Sequence, residues 1–449
     1  MSAGKRASTA LDRVVDVGGL IAVFGVQYVA SRFVPSSGGV SALIGALGLL
    51  LLGGTLVAKL VELLGLPHLT GYILTGVVAG PHVLALIDTQ TVQQLAPVNT
   101  LALALIALAG GAELRLEQVR RGLRSLVIAT IVQTVAVAVL VGGVLMLARD
   151  LVPFTRSLTT GGVIAVALLW GVVATSRSPS ATLGILSQTR AKGSLTNFAL
   201  AFVMTSDVVV ILVLAGAMTI ARPLLEPGAA FSFHAFSALG HEIVGSVSIG
   251  TTLGMLLAAY LRLVGKQLLI VLIALGFGAT EVLHYLQFDP LLTFVVAGFV
   301  VQNLSDQGAK FLHALEEMGG VVYVVFFASA GADLDVPLLR TLWPLALGLA
   351  SVRALTTFAA ARVSSFLAKD EPVLRRWAWT SLVAQAGLTQ GLAAVIEREY
   401  ALFGGQFRAL VIANVALNAM IGPVLFKWAL DRSGESKAPS PSLSDAEAA

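Results

Sequence analysis

The chain of 449 residues is 57% hydrophobic and 12% charged, with a mean hydropathy of +0.89. Soluble domains are typically about 45–50% apolar and about 25% charged, so this balance excludes a water-soluble globule and marks an all-α polytopic membrane protein. The absence of cysteine excludes disulfides, thiolate nucleophiles and Cys-based metal sites, and a net charge of +4 with no long basic tract excludes a nucleic-acid partner.

Residues 1–13, "MSAGKRASTALDR", read as a cytoplasmic N-terminus, and an extra N-terminal helix is predicted over 14–33. No short apolar core with an A-x-A-like cleavage site follows, so this helix reads as retained rather than as a signal peptide. Further apolar spans are predicted over 39–64, 68–87, 95–113, 122–148, 160–189, 193–221, 238–263, 267–286, 289–304, 318–333, 341–367, 377–397 and 405–430. That makes about 14 helices in the lipid bilayer, many of them long enough to span it. An even number leaves both termini on one side. With that side cytoplasmic, "ELRLEQVRRGLR", "RAKG", "RLVGK" and "DEPVLRR" stay inside, the lysine and arginine excess expected of cytoplasmic loops in a plasma (inner) membrane protein. The segment 431–449, rich in Ser, Pro and acids, reads as a disordered cytoplasmic tail.

The chain also repeats itself. Residues 105–120, "LIALAGGAELRLEQVR", lie over 325–340, "VFFASAGADLDVPLLR", and 68–81, "HLTGYILTGVVAGP", lie over 290–303, "PLLTFVVAGFVVQN". An odd number of predicted helices separates the copies, so they run in opposite senses through the membrane. Inverted repeats of this kind build secondary transporters, with the substrate site near the midplane. The first repeat is taken as 39–222, the linker helix as 238–263 and the second repeat as 267–430.

Two spans carry polar interruptions. The first, 160–189, contains "ATSRSPSAT", where Pro179 removes a backbone donor and disfavours helix at Ser178. The second, 377–397, contains "AQAGLTQG". Unwound backbone at membrane depth persists only when it is buried in protein or lines a watery cavity. A pair of interrupted helices in corresponding positions is the sequence pointer to a transporter's binding site.

Ionisable residues at depth are few. Asp207 lies mid-span in "AFVMTSDVVVILVLAG" and Arg353 mid-span in "LGLASVRALTTF", while the other acids and the histidines fall nearer span ends or in loops. A stranded charge there costs about 2.5–3.5 kcal/mol on insertion scales, so each must have a function or a partner. An Asp207–Arg353 salt bridge that only holds the bundle is one reading. The other is that Asp207 binds a proton or a small cation, one at a time. Isolated carboxylates titrate near 3.9 and buried ones can titrate several units higher, within reach of working pH. Backbone carbonyls of the "ATSRSP" segment and the hydroxyls of Thr175, Ser176 and Ser206 supply the oxygens that hard monovalent cations favour. Arg353 keeps its proton and so cannot be the carrier; its expected role is charge compensation, either at the carboxyl-terminal ends of the broken helices or of the empty Asp207. Arg177, inside the first interruption, either deters other cations or points along the break towards carbonyls.

These segments resemble, in order, the second cation:proton antiporter family. The resemblance covers about 39–430 and rests on "LTGYILTGVVAGPHVLALID", "ALAGGAELRLEQVRRG", "VVATSRSPSATLGIL", "TSDVVVILVLA", "LLTFVVAGFVVQN", "VVFFASAGADLDVPLL" and "SLVAQAGLTQG". It implies two crossed interrupted helices in a core domain, a dimerisation domain, a homodimer and an elevator-like movement. It places Asp207 at the family's ion-binding aspartate, Ser206 where relatives carry aspartate, asparagine or glutamine, and Arg353 where they carry lysine or arginine. A single carboxylate with an arginine resembles the electroneutral pattern. The expected cargo is sodium, then potassium, exchanged for a proton, with no cofactor. Two other transport readings stay open: a proton-coupled organic anion transporter using Arg177, and a channel-like potassium efflux protein. An enzyme is not expected, because an intramembrane aspartyl protease needs two carboxylates at depth and a serine protease needs a paired base.

Overall fold

A computed structural model describes residues 16–29, 39–225, 234–265, 267–286 and 288–436; the expected N-terminus at 1–13, the ends of the predicted helix at 14–33 and the tail from 437 lie outside these residues. The architecture is all helical, and the described residues contain no strand. The helices are α1 (Asp16–Val29), α2 (Val40–Glu62), α3 (His68–Ala79), α4 (Thr89–Gln94), α5 (Ala96–Glu113), α6 (Leu116–Leu147), α7 (Thr160–Val173), α8 (Pro179–Thr189) and α9 (Ser194–Leu225). They continue as α10 (His234–Leu263), α11 (Leu268–Leu286), α12 (Pro290–Leu304), α13 (Gly308–Ala332), α14 (Val336–Ala368), α15 (Pro372–Trp377), α16 (Gly387–Glu399) and α17 (Gly404–Ser433).

Every predicted span contains helix, but length and apolarity qualify only seven described helices as membrane crossings, or eight with the bent pair Gly308–Leu315 and Glu317–Ala332. Five further apolar helices, α7 and α12 among them, are shorter. Several boundaries differ from expectation for identifiable reasons. The span predicted over 68–87 stops at Ala79, because Gly80 and Pro81 end the helix and the N–H groups of Leu86 and Ile87 fold back onto the Ala79 carbonyl. Helix α13 starts ten residues before its predicted 318, since its first turns, "GAKFLHALEE", are too polar for hydropathy to mark. The span 377–397 is three pieces: α15, a 3-10 turn at Ala378–Leu382, and α16 after a break.

Residues 431–436, expected to start a disordered tail, are ordered. Helix α17 continues to Ser433, and the Glu435 carboxylate accepts the N–H groups of Leu195 and Thr196 and the Thr196 hydroxyl, each at 2.8 Å. An anion at an amino-terminal helix end meets unpaired N–H groups and the positive end of the dipole, which is why this segment is ordered.

Close helix pairs are set by small residues. A Cβ on Gly76 of α3 would strike the Ala328 carbonyl of α13, and one on Gly331 of α13 would strike the Ile73 carbonyl of α3. A Cβ on Gly111 of α5 would strike the Val295 carbonyl of α12, and one on Gly298 of α12 the Leu108 carbonyl of α5. Lipid gives no hydrophobic drive for helices to pack, so backbone approach at glycine supplies the contact energy.

The interior is layered. One apolar cluster takes Leu126 and Ala129 of α6, Ala181–Leu186 of α8, Leu195–Met204 of α9 and Phe426–Leu430 of α17. A second takes Val137–Leu145 of α6, Val172 and Val173 of α7, Val210–Ala221 of α9 and Phe407–Val415 of α17. Between them the same helices present Gln133, Ser206, Asp207 and Asn418, and the chain of the first interrupted helix unwinds. Polar groups thus gather in a sheet between two apolar layers, and that sheet holds the site.

Candidate ion-binding site

The two interruptions meet in this polar layer. Helix α7 ends at Val173, and α8 restarts at Pro179 with the Ser178 hydroxyl accepting the Ala181 N–H as its cap. Proline at the first helical position costs no hydrogen bond, which makes "SP" a restart signal after the break. The second break, 383–386, precedes α16, whose first residue is Gly387. Ser176 and Thr389 join the breaks through hydroxyls 2.7 Å apart.

Arg353 of α14 lies against both breaks. Its guanidinium donates to the carbonyls of Ala174 (2.7 Å) and Ser176 (2.9 Å) on one, and of Val383 (2.6 Å) and Leu382 (3.2 Å) on the other. These carbonyls lack helical partners because the helices stop there, and a fixed cation offsets both negative dipole ends at once. Arg353 forms no ion pair with Asp207, so a bundle-holding salt bridge between them is not what the structure contains.

Asp207 is 6% exposed, and both its carboxylate oxygens are buried without a hydrogen-bond partner. Thr175, Ser176 and Ser206 are also buried, but none bonds to it. The Thr175 hydroxyl donates to Val172, that of Ser206 to Val203, and that of Ser176 to Val173. The hydroxyl protons of these expected ligands are therefore given to backbone carbonyls and not to Asp207. Arg177 points along the break: it donates to the Thr175 carbonyl at 2.5 Å and to Gln133 at 3.4 Å, with its guanidinium 4.9 Å from the Phe202 ring centre.

A cavity of about 280 Å³ adjoins Asp207. That is many times the roughly 10–15 Å³ needed for one water. Its wall includes Asp207, Thr100 and Leu103 of α5, Asp289 at the start of α12, and Gly387 and Gly391 of α16. The two glycines, one turn apart, have nothing within 4 Å of where a Cβ would stand, so α16 faces the space with bare backbone. The arrangement is an unpartnered carboxylate at a roomy wall between apolar layers, able to exchange a proton or a desolvating cation. Among the described residues no three His, Cys, Asp or Glu stand together to hold a metal ion.

The sequence reading missed the amide hub of the crossing. Gln385 donates towards Ser176, 3.3 Å to its hydroxyl, and its carbonyl oxygen accepts from Asn414 (3.2 Å) and Asn418 (2.9 Å). The spacing of Asn414 and Asn418, one helical turn apart in an apolar run, was the available signal. It also missed Asp289, which precedes a proline and reads as a helix cap.

The family described as sodium/hydrogen exchanger, transmembrane, matches residues 47–431. Two structures of the sodium proton antiporter MjNhaP1 from Methanocaldococcus jannaschii are similar in fold, each at 16% identity. One, at pH 8, has a TM-score of 0.63 and covers 88% of this chain and 96% of its own. The other, from electron microscopy, has a TM-score of 0.70 and covers 90% and 100%. No curated protein matches the sequence.

Proposed function

The chain belongs to the sodium/hydrogen exchanger family, and on that premise we propose that it exchanges a monovalent cation for a proton at Asp207. Sodium is the first expected cargo and potassium the second. The single observation that carries this reading is the Asp207 carboxylate, buried between two apolar layers, without a partner, on the wall of a cavity. A charge so placed is costly, and a ligand that neutralises it offsets the cost. Proton and cation do so in turn, which makes their binding mutually exclusive and couples their fluxes.

One carboxylate releasing one proton for one cation makes the exchange electroneutral. Arg353 keeps the dipole ends of the crossing neutral whichever ligand Asp207 holds. The hydroxyls of Thr175, Ser176 and Ser206 donate to backbone carbonyls and keep oxygen lone pairs, so they can serve as cation ligands without breaking those bonds. In this reading the glycine pairs at 76/331 and 298/111 are equivalent contacts of two inverted repeats, since 111 overlays 331 and 76 overlays 298. The reading includes about 14 crossings, a homodimer in a plasma (inner) membrane with cytoplasmic termini, and an elevator-like movement of the core.

Proteoliposomes with an internal pH dye test it. A pH gradient is imposed, and sodium, potassium, lithium or choline chloride is added in turn. Collapse of the gradient by an alkali cation but not by choline supports exchange and ranks the cargo. No response to any alkali cation contradicts it.

A further inference from the structure

Asp289 shares the cavity with Asp207. It sits ahead of α12, its Oδ1 accepts the Leu292 N–H at 2.6 Å, and its own N–H donates to the Ser246 hydroxyl at 3.0 Å. Asn and Ser cap a helix about as well as Asp, and the positive end of α12 favours an acid over them, so Asp289 serves the helix start. The acid also adds a second negative charge to the lining of the space that Asp207 lines.

We propose that Asp289 is a second cation-binding carboxylate of the cavity, holding a monovalent cation together with, or on its way to, Asp207; this rests on the exchange reading above. The two acids come from different helices, α9 and α12, and meet the same space of about 280 Å³. Asp207 lines that space, and its two carboxylate oxygens are buried without a hydrogen-bond partner. Low-dielectric walls of one sign focus the field between them, so a mobile cation concentrates there and an anion is excluded. Carboxylate oxygens are also the ligands a hard cation prefers. The amino-terminal end of α12 tempers the charge of Asp289 without cancelling it, which suits a ligand that must release its ion. The two acids line the cavity, whereas Thr175, Ser176 and Ser206 do not.

The test compares wild type, Asp289→Asn and Asp289→Ser in proteoliposomes, reading sodium-driven proton flux across a range of sodium chloride concentrations at one pH. Both substitutions keep a capping side chain. The expected result is an apparent sodium KM raised about 10- to 100-fold, as for loss of a supporting ligand group, with the maximal rate largely kept. An unchanged KM in both variants overturns the proposal and leaves Asp289 a helix cap. A lower maximal rate at unchanged KM overturns it too, since that marks a structural or conformational role. Loss of folded, monodisperse protein in both variants, read by size exclusion and thermal melting, also counts against it, because the acid is then needed for the fold. A wild type without any sodium-driven flux defeats the exchange reading itself, and is thereby told apart from failure of the Asp289 role.

Discussion

The hydroxyls of Ser176 and Thr389 lie 2.7 Å apart although 213 residues separate them in the chain. Their bond ties the unwound end of one interrupted helix to the first turn of the other. A double-mutant cycle with Ser176→Ala and Thr389→Val should give a coupling of about 0.5–1.5 kcal/mol in stability, the usual net worth of a buried hydrogen bond. Thermal or denaturant unfolding in detergent measures it. Strict additivity of the two substitutions would show that the crossing is held by other contacts.

Arg353 bears on more of the crossing than any other single side chain described above, donating to four carbonyls from the two breaks. Arg353→Ala leaves buried acceptors unpaired at about 1–3 kcal/mol each, so little folded protein is expected. Arg353→Lys keeps the charge but has one nitrogen to serve two breaks, so a folded protein with a lowered melting temperature is expected. Size-exclusion profiles and melting curves check both. An alanine variant that melts with wild type would contradict this account of the crossing.

Much of this was legible in the sequence, and the failures have physical causes. The apolar runs gave the helices because membrane burial demands them, and "SRSPS" marked the first break because proline at 179 cannot continue a helix. The second break has no proline, and the hydroxyls of Thr380 and Ser381 bond back to Trp377 and Ala378 in a 3-10 turn that hydropathy cannot distinguish from helix. Asp207 was visible as a lone acid in an apolar stretch. Its separation from Arg353 was not, because sequence does not show that two sets of broken-helix carbonyls compete for the guanidinium. Asp289 was hidden because "DP" reads equally well as a helix start, and its cavity forms only when α5, α9, α12 and α16 come together.

The glycine contacts predict a steric phenotype. Gly298→Ala and Gly331→Ala each push a methyl into a facing backbone carbonyl, which no rotamer change relieves. Overpacking typically costs about 1–3 kcal/mol, so both should lower the melting temperature clearly. Gly320→Ala on α13, with open space around its Cβ position, is the control and should match wild type. Equal melting of all three variants would contradict the close approach of these helices.

Glu435 ties the end of α17 to the start of α9, the helix that carries Asp207. Glu435→Ala removes a charged acceptor from three donors and should cost about 1.5–3 kcal/mol, read as a lowered melting temperature. Gly193→Ala should reproduce part of the effect, because a Cβ there would meet the Glu435 carboxyl group. If neither variant shifts melting, the latch contributes nothing to stability.

Mutual exclusion of proton and cation at Asp207 is most directly tested by proton release. Sodium chloride is titrated into purified protein in weakly buffered detergent solution while sodium binding is followed by calorimetry. The account predicts that wild type releases close to one proton for each sodium bound, and that Asp207→Asn releases no proton when sodium is added. Sodium binding by wild type without proton release, or proton release persisting in Asp207→Asn, would contradict it.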